Sequence, residues 1–600
     1  MQPAMPAMAE TQLNEALELL AAGDLRGSAA AYQQARATAP QSAEVPHRMG
    51  TALSRAGRAQ EAMVQHFIAE RLAPAERRYR RALTEALAGA NLAQGSAAVI
   101  DSLCRLLAAP DVSPTDVAPA AWTLLDARPA VRHLWLNVDR GDFATVEACM
   151  LEPAVQQQLN DPLFLLLQAR AQALTLEREG ALTALRRFAL RALMERPRLT
   201  FLISDRPEPL AALALQGSLS AYAWIESAPE EAMLAGLARR IAQGNATPAE
   251  LLVQACYRPW PEAEPWPAGL PDTAILAEAR RRLVEEPAER RALAAAMPSL
   301  TPIGEGASPR VKQQYEANPY PRWLATNLPE PRPLSRVLRG LFPALALEGV
   351  PEGPLSVLVA GCGTGEQALR TASRFAEADV LAVDLSRASL AYAQQRAAAL
   401  GLDRIAFAEA DIMALGALDG RFELIDCMGV LHHLADPAAG WRVLRGLLAP
   451  HGFMRIALYS RLARDPLRRL RKQIAFGWRR KHIDNAFLRG ARYRLLEKRS
   501  EPEGAFALSF IDAWDLDGLR DLLFHVEEHD FTLGEIATCL DELDLQFIGM
   551  EIIDRRTLDL FREQHPEPGA EHDLSLWQAF EEARPGTFAS MYRFWCRARS

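Results

Sequence analysis

The sequence predicts a doubly wound α/β domain preceded by an all-α domain. Three observations predict this. An apolar run, Leu355 to Val359, stops at three closely spaced glycines, Gly361, Gly363 and Gly365, and a helix-compatible segment, Glu366 to Phe375, follows. Apolar runs then alternate with helical patterns as far as Tyr459. Near the start of the chain, small residues and prolines recur 34 positions apart.

A buried strand that turns tightly into a helix needs glycines at these places, and they let backbone amides approach a ligand closely. The second apolar run, Val380 to Val383, ends in Asp384, nineteen residues after Gly365. A carboxylate at that strand tip can accept hydrogen bonds from both hydroxyls of a ribose. Then come Ile405 to Ala408, leading into Glu409-Ala410-Asp411-Ile412, and Phe422 to Met428, leading into Gly429-Val430-Leu431-His432-His433-Leu434. A last run spans Gly452 to Tyr459, and helical patterns lie between at Leu390 to Leu400 and Ala438 to Leu448. This alternation indicates a mostly parallel sheet covered on both sides, with its ligand at the carboxyl ends of the strands.

Gly-Cys-Gly-Thr-Gly at 361–365, Val-Asp-Leu-Ser at 383–386, Ala-Asp-Ile at 410–412 and Val-Leu-His-His-Leu at 430–434 resemble the signatures of class I S-adenosylmethionine-dependent methyltransferases. That resemblance implies a Rossmann-like fold and S-adenosylmethionine as cofactor. It implies that Gly361, Cys362, Gly363, Thr364 and Gly365 cradle the methionine part, that Asp384 holds the ribose, and that Asp411 accepts from the adenine amino group. Leu385 and Ile412 complete the implied cofactor-binding set. The Gly-x-Gly-x-Gly spacing favours this family over dinucleotide-binding enzymes, whose spacing is Gly-x-Gly-x-x-Gly. Many members carry an acid two residues before the first glycine, where this chain has Val359. Glu366 or a residue outside the core is expected to replace it.

At the front, Leu20-Ala21-Ala22-Gly23-Asp24 precedes Ala29, Tyr32, Ala35 and Pro40, and Leu53 to Arg58 precedes Ala62, His66, Ala69 and Pro74. The pairs Gly23/Gly57, Ala35/Ala69 and Pro40/Pro74 are each 34 apart. The pattern resembles tetratricopeptide repeats, with two clear units and a degenerate third near Tyr79 to Pro110. Such units need neighbours to bury their faces. The helical patterns from Ala120 to Cys256, clearest at Pro162 to Leu193, are expected to supply them. A stretch rich in proline and tryptophan, Tyr257 to Pro271, reads as a seam, and a helix is expected at Ala274 to Met297. The expected plan is therefore repeats at 1–110, a helical extension at 111–257, a linker and helix at 258–310, and the methyltransferase domain at 311–600. The helical half reads either as a concave surface for a protein or peptide, or as a spacer or oligomerisation surface.

At 600 residues and 49% hydrophobic the chain can hold several domains with sizeable cores. A formal net charge of -8 argues against a general nucleic-acid binder. The first fifteen residues lack the pattern of a secretory signal, and no stretch approaches the apolar length of a membrane span. Seven scattered cysteines without metal-like spacing suggest reduced thiols and a cytoplasmic location. Cys362 reads as a small loop residue rather than a redox group.

Ahead of the core lies Gln314-Tyr315-Glu316-Ala317-Asn318-Pro319-Tyr320-Pro321-Arg322-Trp323. Aromatic faces attract a sulfonium. The segment is therefore expected to form a lid with Tyr315 and Tyr320 facing the methyl group, the alternative being an aromatic clamp on the sheet. Together with Leu-Leu-Phe-His-Val-Glu-Glu-His at 522–529, it resembles bacterial proteins that join tetratricopeptide repeats to a methyltransferase. Beyond Tyr459 the family pattern implies a helix at Leu533 to Leu543 and strands at Leu545 to Ile552 and Met591 to Cys596. Residues of about 461–530 are then an insertion at the ligand-facing edge.

Between Arg461 and Arg499 fourteen Lys and Arg face Asp465, Asp484 and Glu497, a net of about +11. That run suits a solvated cap, an anionic substrate or nucleic acid, or a membrane surface. His525 and His529 would share one face of a helix, a possible metal pair without a third ligand, so no metal is assigned. His432, His433, Tyr315 and Tyr320 are the catalytic candidates, with His525 and His529 as rivals for the base. Three functions follow: a methyltransferase whose helical half recruits a protein or peptide, a methyltransferase on a small molecule with the helical half used for assembly, or a scaffold that binds the cofactor without catalysis. The methyl acceptor is not readable from these motifs.

Overall fold

The computed structural model describes residues 5–599, except 89, 91, 93, 139–142, 201–204, 245, 376, 476–482, 553 and 590. It divides into two compact units. One comprises Met1–Val284 with Leu324–Asn327, the other Glu285–Trp323 with Leu328–Ser600.

The described part of the first unit is built from helices. Ala7–Ala21 packs on Leu25–Thr38, and Glu44–Arg55 on Ala59–Leu72. The reversals fall at Gly23 and Gly57, at φ of 83° and 74°, a region that penalises a Cβ. Ala16, Ala35, Ala62 and Ala69 are fully buried, which lets the helix backbones approach. Helices Arg77–Leu87 and Ala97–Ala108 fall where a degenerate third unit is expected from the sequence. One apolar core then runs from Met63 to Leu283. The expected run Pro162 to Leu193 divides into two helices, Pro162–Arg170 and Leu176–Glu195, because Asp161 and Thr175 each cap a new start. Leu324–Asn327 belongs to this unit: the Asn327 side chain accepts from Ser113 N at 2.9 Å and donates to Asp116.

The second unit holds a seven-stranded sheet. Its strands are β1 (Ser356–Ala360), β2 (Asp379–Asp384), β3 (Ile405–Glu409), β4 (Phe422–Met428), β5 (Leu448–Leu458), β6 (Leu545–Met550) and β7 (Tyr592–Ala598), in the order β3-β2-β1-β4-β5-β7-β6. β1 to β5 are parallel, and β7 lies antiparallel between β5 and β6. Alternate residues of β1 feed two cores: Leu358 and Ala360 one, Val357 and Val359 the other. A sheet covered on both faces needs such continuous apolar strands. The β3 edge is not bare. Glu409 N donates to Pro298 O at 2.8 Å and Leu300 N to Glu409 O at 2.9 Å, so the segment before helix Ala307–Ala317 covers it.

The insertion forms helices Arg461–Ile474, Asn485–Glu497, Pro502–Leu508 and Leu516–Phe524. Its basic residues Arg479, Arg480 and Lys481 lie outside the described residues. Arg461, Arg464, Arg468, Arg469 and Lys498 pair with acids, the Arg464–Glu528 pair of them largely buried. The helical expectation for His525 to His529 is corrected here. The helix ends at Phe524, with His525 at φ -60° and ψ 140°, so the two histidines share no helical face.

Candidate active site

The glycine turn joins β1 to helix Glu366–Arg374. Gly361, Gly363 and Gly365 take φ of 76°, 52° and 88°. A Cβ at Gly361 would lie 2.5 Å from the Val430 methyl carbons, and one at Gly363 2.6 Å from Tyr320 O. One at Gly365 would collide with the Ala393 Cβ. Backbone conformation and close approach both demand glycine at these positions. Between them, the Cys362 thiol is buried, and that burial pushes its pKa well up, away from thiolate chemistry.

Asp384, at the tip of β2, accepts from Gly363 N at 2.8 Å and Ser386 N at 2.9 Å, one bond to each carboxylate oxygen. Burial raises its pKa, opposed by those amides. A carboxylate offers about four acceptor positions, so each oxygen keeps one for a ligand. Asp411 is arranged alike: its two oxygens accept from Met413 N at 3.0 Å and Gly304 N at 3.1 Å. Its own N donates to Thr301 Oγ1 at 2.8 Å. Leu385 follows Asp384 directly, and the buried Ile412 follows Asp411. Asp426 of β4 is the register partner of Val359 and is buried. It accepts from Thr371 Oγ1 at 2.7 Å and Gln367 Nε2 at 2.9 Å, and pairs with Arg455 at 3.4 Å.

The segment before the core is clamped onto the glycine turn. Thr364 N donates to Tyr320 O at 3.2 Å, Thr364 Oγ1 to Pro321 O at 2.5 Å and Trp323 Nε1 to Thr364 O at 3.2 Å. Tyr320 then crosses from loop to insertion, its hydroxyl donating to Asp512 at 2.9 Å. Tyr315, on helix Ala307–Ala317, donates to Asp521 Oδ1 at 2.7 Å, and the Tyr459 hydroxyl reaches Asp521 Oδ2 at 3.3 Å. The His525 Nε2 lies 3.1 Å from the Tyr315 hydroxyl. The His433 ring stacks on His525 at 3.6 Å, and His432 stacks on Tyr459 at 3.9 Å.

Desolvation dominates the electrostatics of this cluster. It pushes Asp521 and Asp512 up to about 6, and the hydroxyls of Tyr315, Tyr320 and Tyr459 well above 10. It lowers His433 to about 4 and holds His432 and His525 well below the usual range, so all three rings are neutral at pH 7. Both ring nitrogens of His432 are buried without a hydrogen-bond partner among the described residues. His432 therefore packs behind Tyr459, while Tyr315 and Tyr320 bond the acids and His433 bonds the Glu527 carbonyl.

Asp512, Asp521, Tyr459 and Glu316 were not among the residues expected from sequence. Asp521 precedes His525 by one helical turn, a spacing that could have marked it. Glu316 accepts from Arg387 N at 2.7 Å and Ala388 N at 3.3 Å, at the start of the helix after β2. Nothing local in the sequence announces that pairing, or Asp512.

Residues 357–452 match the family model described as "Methyltransferase domain". The sheet unit carries a methyltransferase domain. An uncharacterised protein of Synechococcus sp. is 31% identical over 233 residues, covering 37% of this chain and 55% of that protein. The trans-aconitate 2-methyltransferase of Methylobacterium radiotolerans is 36% identical over 124 residues, covering 21% and 45%. The ubiquinone biosynthesis O-methyltransferase of Leptothrix cholodnii is 33% identical over 108 residues, covering 18% and 45%. The chain thus spans about half the length of these curated relatives. The matched segment of the methyltransferase domain contains the glycine turn, Asp384, Asp411, His432 and His433. S-adenosylmethionine is the cofactor of such a domain, and the residues present fit it: the spare acceptor positions of Asp384 match a ribose diol.

Proposed function

We propose that this chain is an S-adenosylmethionine-dependent methyltransferase whose acceptor binds among Tyr315, Tyr320, Tyr459, His433 and Asp521. The single observation carrying this reading is Tyr320. Its backbone carbonyl bonds to the glycine turn and its hydroxyl to the acid cluster, so one residue spans from cofactor loop to acceptor pocket. When bound, the cofactor supplies an electrophilic methyl group on a sulfonium.

The chain's own residues do the rest. The turn at 361–365 and Asp384 hold the cofactor, and Asp411 faces the adenine. The three tyrosine rings line the pocket and exclude water. Asp521 and His433 carry lone pairs positioned to accept the proton that an oxygen or nitrogen nucleophile loses. His432 is assigned to holding Tyr459 in place. Transfer is an in-line displacement, so alignment is the main contribution.

The helical segments 1–110 and 111–257 form, in this reading, a tetratricopeptide-type surface that recruits a protein or peptide, while 258–310 leads into the catalytic segment 311–600. The paired hairpins with 34-residue spacing support that surface. The seven free cysteines support a cytoplasmic location. No helix among the described residues is long and apolar enough to cross a membrane. A second reading, a small-molecule acceptor, is favoured by the burial of His433, Tyr459, Asp521 and His525, which leaves room for a slender group only.

Methyl-labelled cofactor, incubated with the full chain and a cell extract, tests both. Label in one macromolecular band supports recruitment, and label confined to the small-molecule fraction supports the second reading. Cofactor binding by calorimetry without any labelled product would leave only a non-catalytic scaffold.

A further inference from the structure

Two groups given a proton-accepting role above, His433 and Asp521, stand beside a third, His525, which the proposed transfer does not use. His433 follows β4, while Asp521 and His525 sit at the end of helix Leu516–Phe524. One ring nitrogen of each histidine and one carboxylate oxygen of Asp521 lie within 4.8 Å of one another, and all three residues are buried. Ligands of one zinc-sized ion stand roughly 3–4 Å apart, so small side-chain rotations would close this set around an ion.

A second observation points the same way. The Glu527 carbonyl lies 2.9 Å from His433 Nδ1 and 2.5 Å from His525 Nδ1. Glu527 N also approaches His525 Nδ1, at 3.1 Å, but the carbonyl is nearer. The Glu527 carbonyl is placed to accept from Nδ1 of both rings, and in that tautomer Nε2 of each carries the lone pair. This is how proteins orient metal-binding imidazoles, through a hydrogen bond from the other ring nitrogen. The Tyr315 hydroxyl donates to Asp521 Oδ1 at 2.7 Å, and its oxygen lies 3.1 Å from His525 Nε2. The Tyr459 hydroxyl steadies the other Asp521 oxygen at 3.3 Å. Neutral imidazoles and a carboxylate suit divalent first-row transition ions rather than calcium or magnesium.

We propose that His433, Asp521 and His525 form a binding site for one divalent first-row transition ion, oriented by the Glu527 carbonyl, with the Tyr315 hydroxyl donating to Asp521. The test uses the full chain, stripped with chelator and dialysed against zinc or, in parallel, cobalt(II). Expected are one retained equivalent of zinc and a visible cobalt spectrum of low coordination number. X-ray absorption of the zinc-loaded native chain should show two imidazoles. Asp521→Asn and His525→Gln should each weaken retention at least 100-fold, with the melting temperature reporting whether the variant folds, while His529→Gln retains the ion. Failure of the native chain to retain zinc, a ligand sphere without imidazole, or undiminished retention in folded Asp521→Asn would overturn the proposal. The native-chain spectra decide the matter even if both variants unfold, and none of these readouts depends on methyl transfer.

Discussion

Replacing Asp384 separates cofactor binding from the rest of the site. Each of its oxygens holds one backbone amide, Gly363 N or Ser386 N, and keeps one acceptor position for the ribose. Asp384→Asn presents one acceptor oxygen and one amino group. It therefore loses one ribose acceptor and leaves one backbone N–H facing a donor. A hydrogen bond to a charged group contributes about 1.5–3 kcal/mol, so cofactor affinity should fall roughly 10- to 150-fold. Asp384→Ala removes both ribose acceptors, about 3–6 kcal/mol, or some 10²- to 10⁴-fold. The Ala variant also strands both amides, so the sheet unit should melt earlier than in the Asn variant. Calorimetric titration with S-adenosylmethionine on the two variants, alongside thermal melts, reads both effects. An affinity for either folded variant within threefold of the native chain would refute the ribose assignment and the reading of the turn that depends on it.

Gly365→Ala should cost about 1–2 kcal/mol for the left-handed backbone and about 1–3 kcal/mol for the collision with Ala393, seen as earlier denaturant unfolding of the sheet unit. Asp426→Ala should destabilise by about 3 kcal/mol, the low end for breaking a buried pair, because Arg455 keeps its bond to Glu551; a denaturant melt checks it. His66 is buried against Gly50 and its pKa is lowered to about 4 by burial, with His47 adding to the effect. The unfolded chain protonates at 6.5, so stability of the front repeats should fall as pH drops from 6.5 towards 4, by up to about 3 kcal/mol. Hydrogen exchange within residues 7–72 measures that loss, which His66→Gln should reduce and not abolish, because burial lowers the pKa of His47 as well.

The sheet was readable because each of its first strands is an apolar run ended by glycine or an acid. Leu355 to Val359 and Val380 to Val383 each fall within a residue of the observed β1 and β2. The front hairpins were readable because their turns need a residue free of Cβ strain. Contacts between distant segments left no such mark. Nothing periodic tells Thr301 and Gly304 to meet Asp411, or Tyr320 to meet Asp512. The histidine spacing at 525 and 529 misled for a related reason. Helical periodicity was extended past Phe524, where the chain turns so that Val526 N reaches the Gln314 side chain at 3.1 Å and His529 N reaches His432 O at 2.8 Å.

In the proposed reading, cofactor and acceptor groups come from different parts of the sequence. The glycine turn, Asp384 and Asp411 lie on the core strands, whose geometry tolerates little change. Asp512, Asp521 and His525 all come from the insertion, and Tyr315 and Tyr320 from the segment ahead of the core. Loops and insertions accept substitution far more readily than packed strands. Acceptor preference can therefore diverge while the cofactor loop stays fixed. This fits a chain that is similar, over 124 and 108 residues, to methyltransferases named for unlike molecules. Of the proposed acceptor groups, His433 falls inside the segment 357–452 that matches the methyltransferase model, while Tyr315, Tyr320, Asp512, Asp521 and His525 fall outside it. In the proposed reading the acceptor is set by the chemistry of this pocket: three tyrosines, two desolvated acids and neutral imidazoles, with the Arg520 guanidinium acting on Tyr315 and His525.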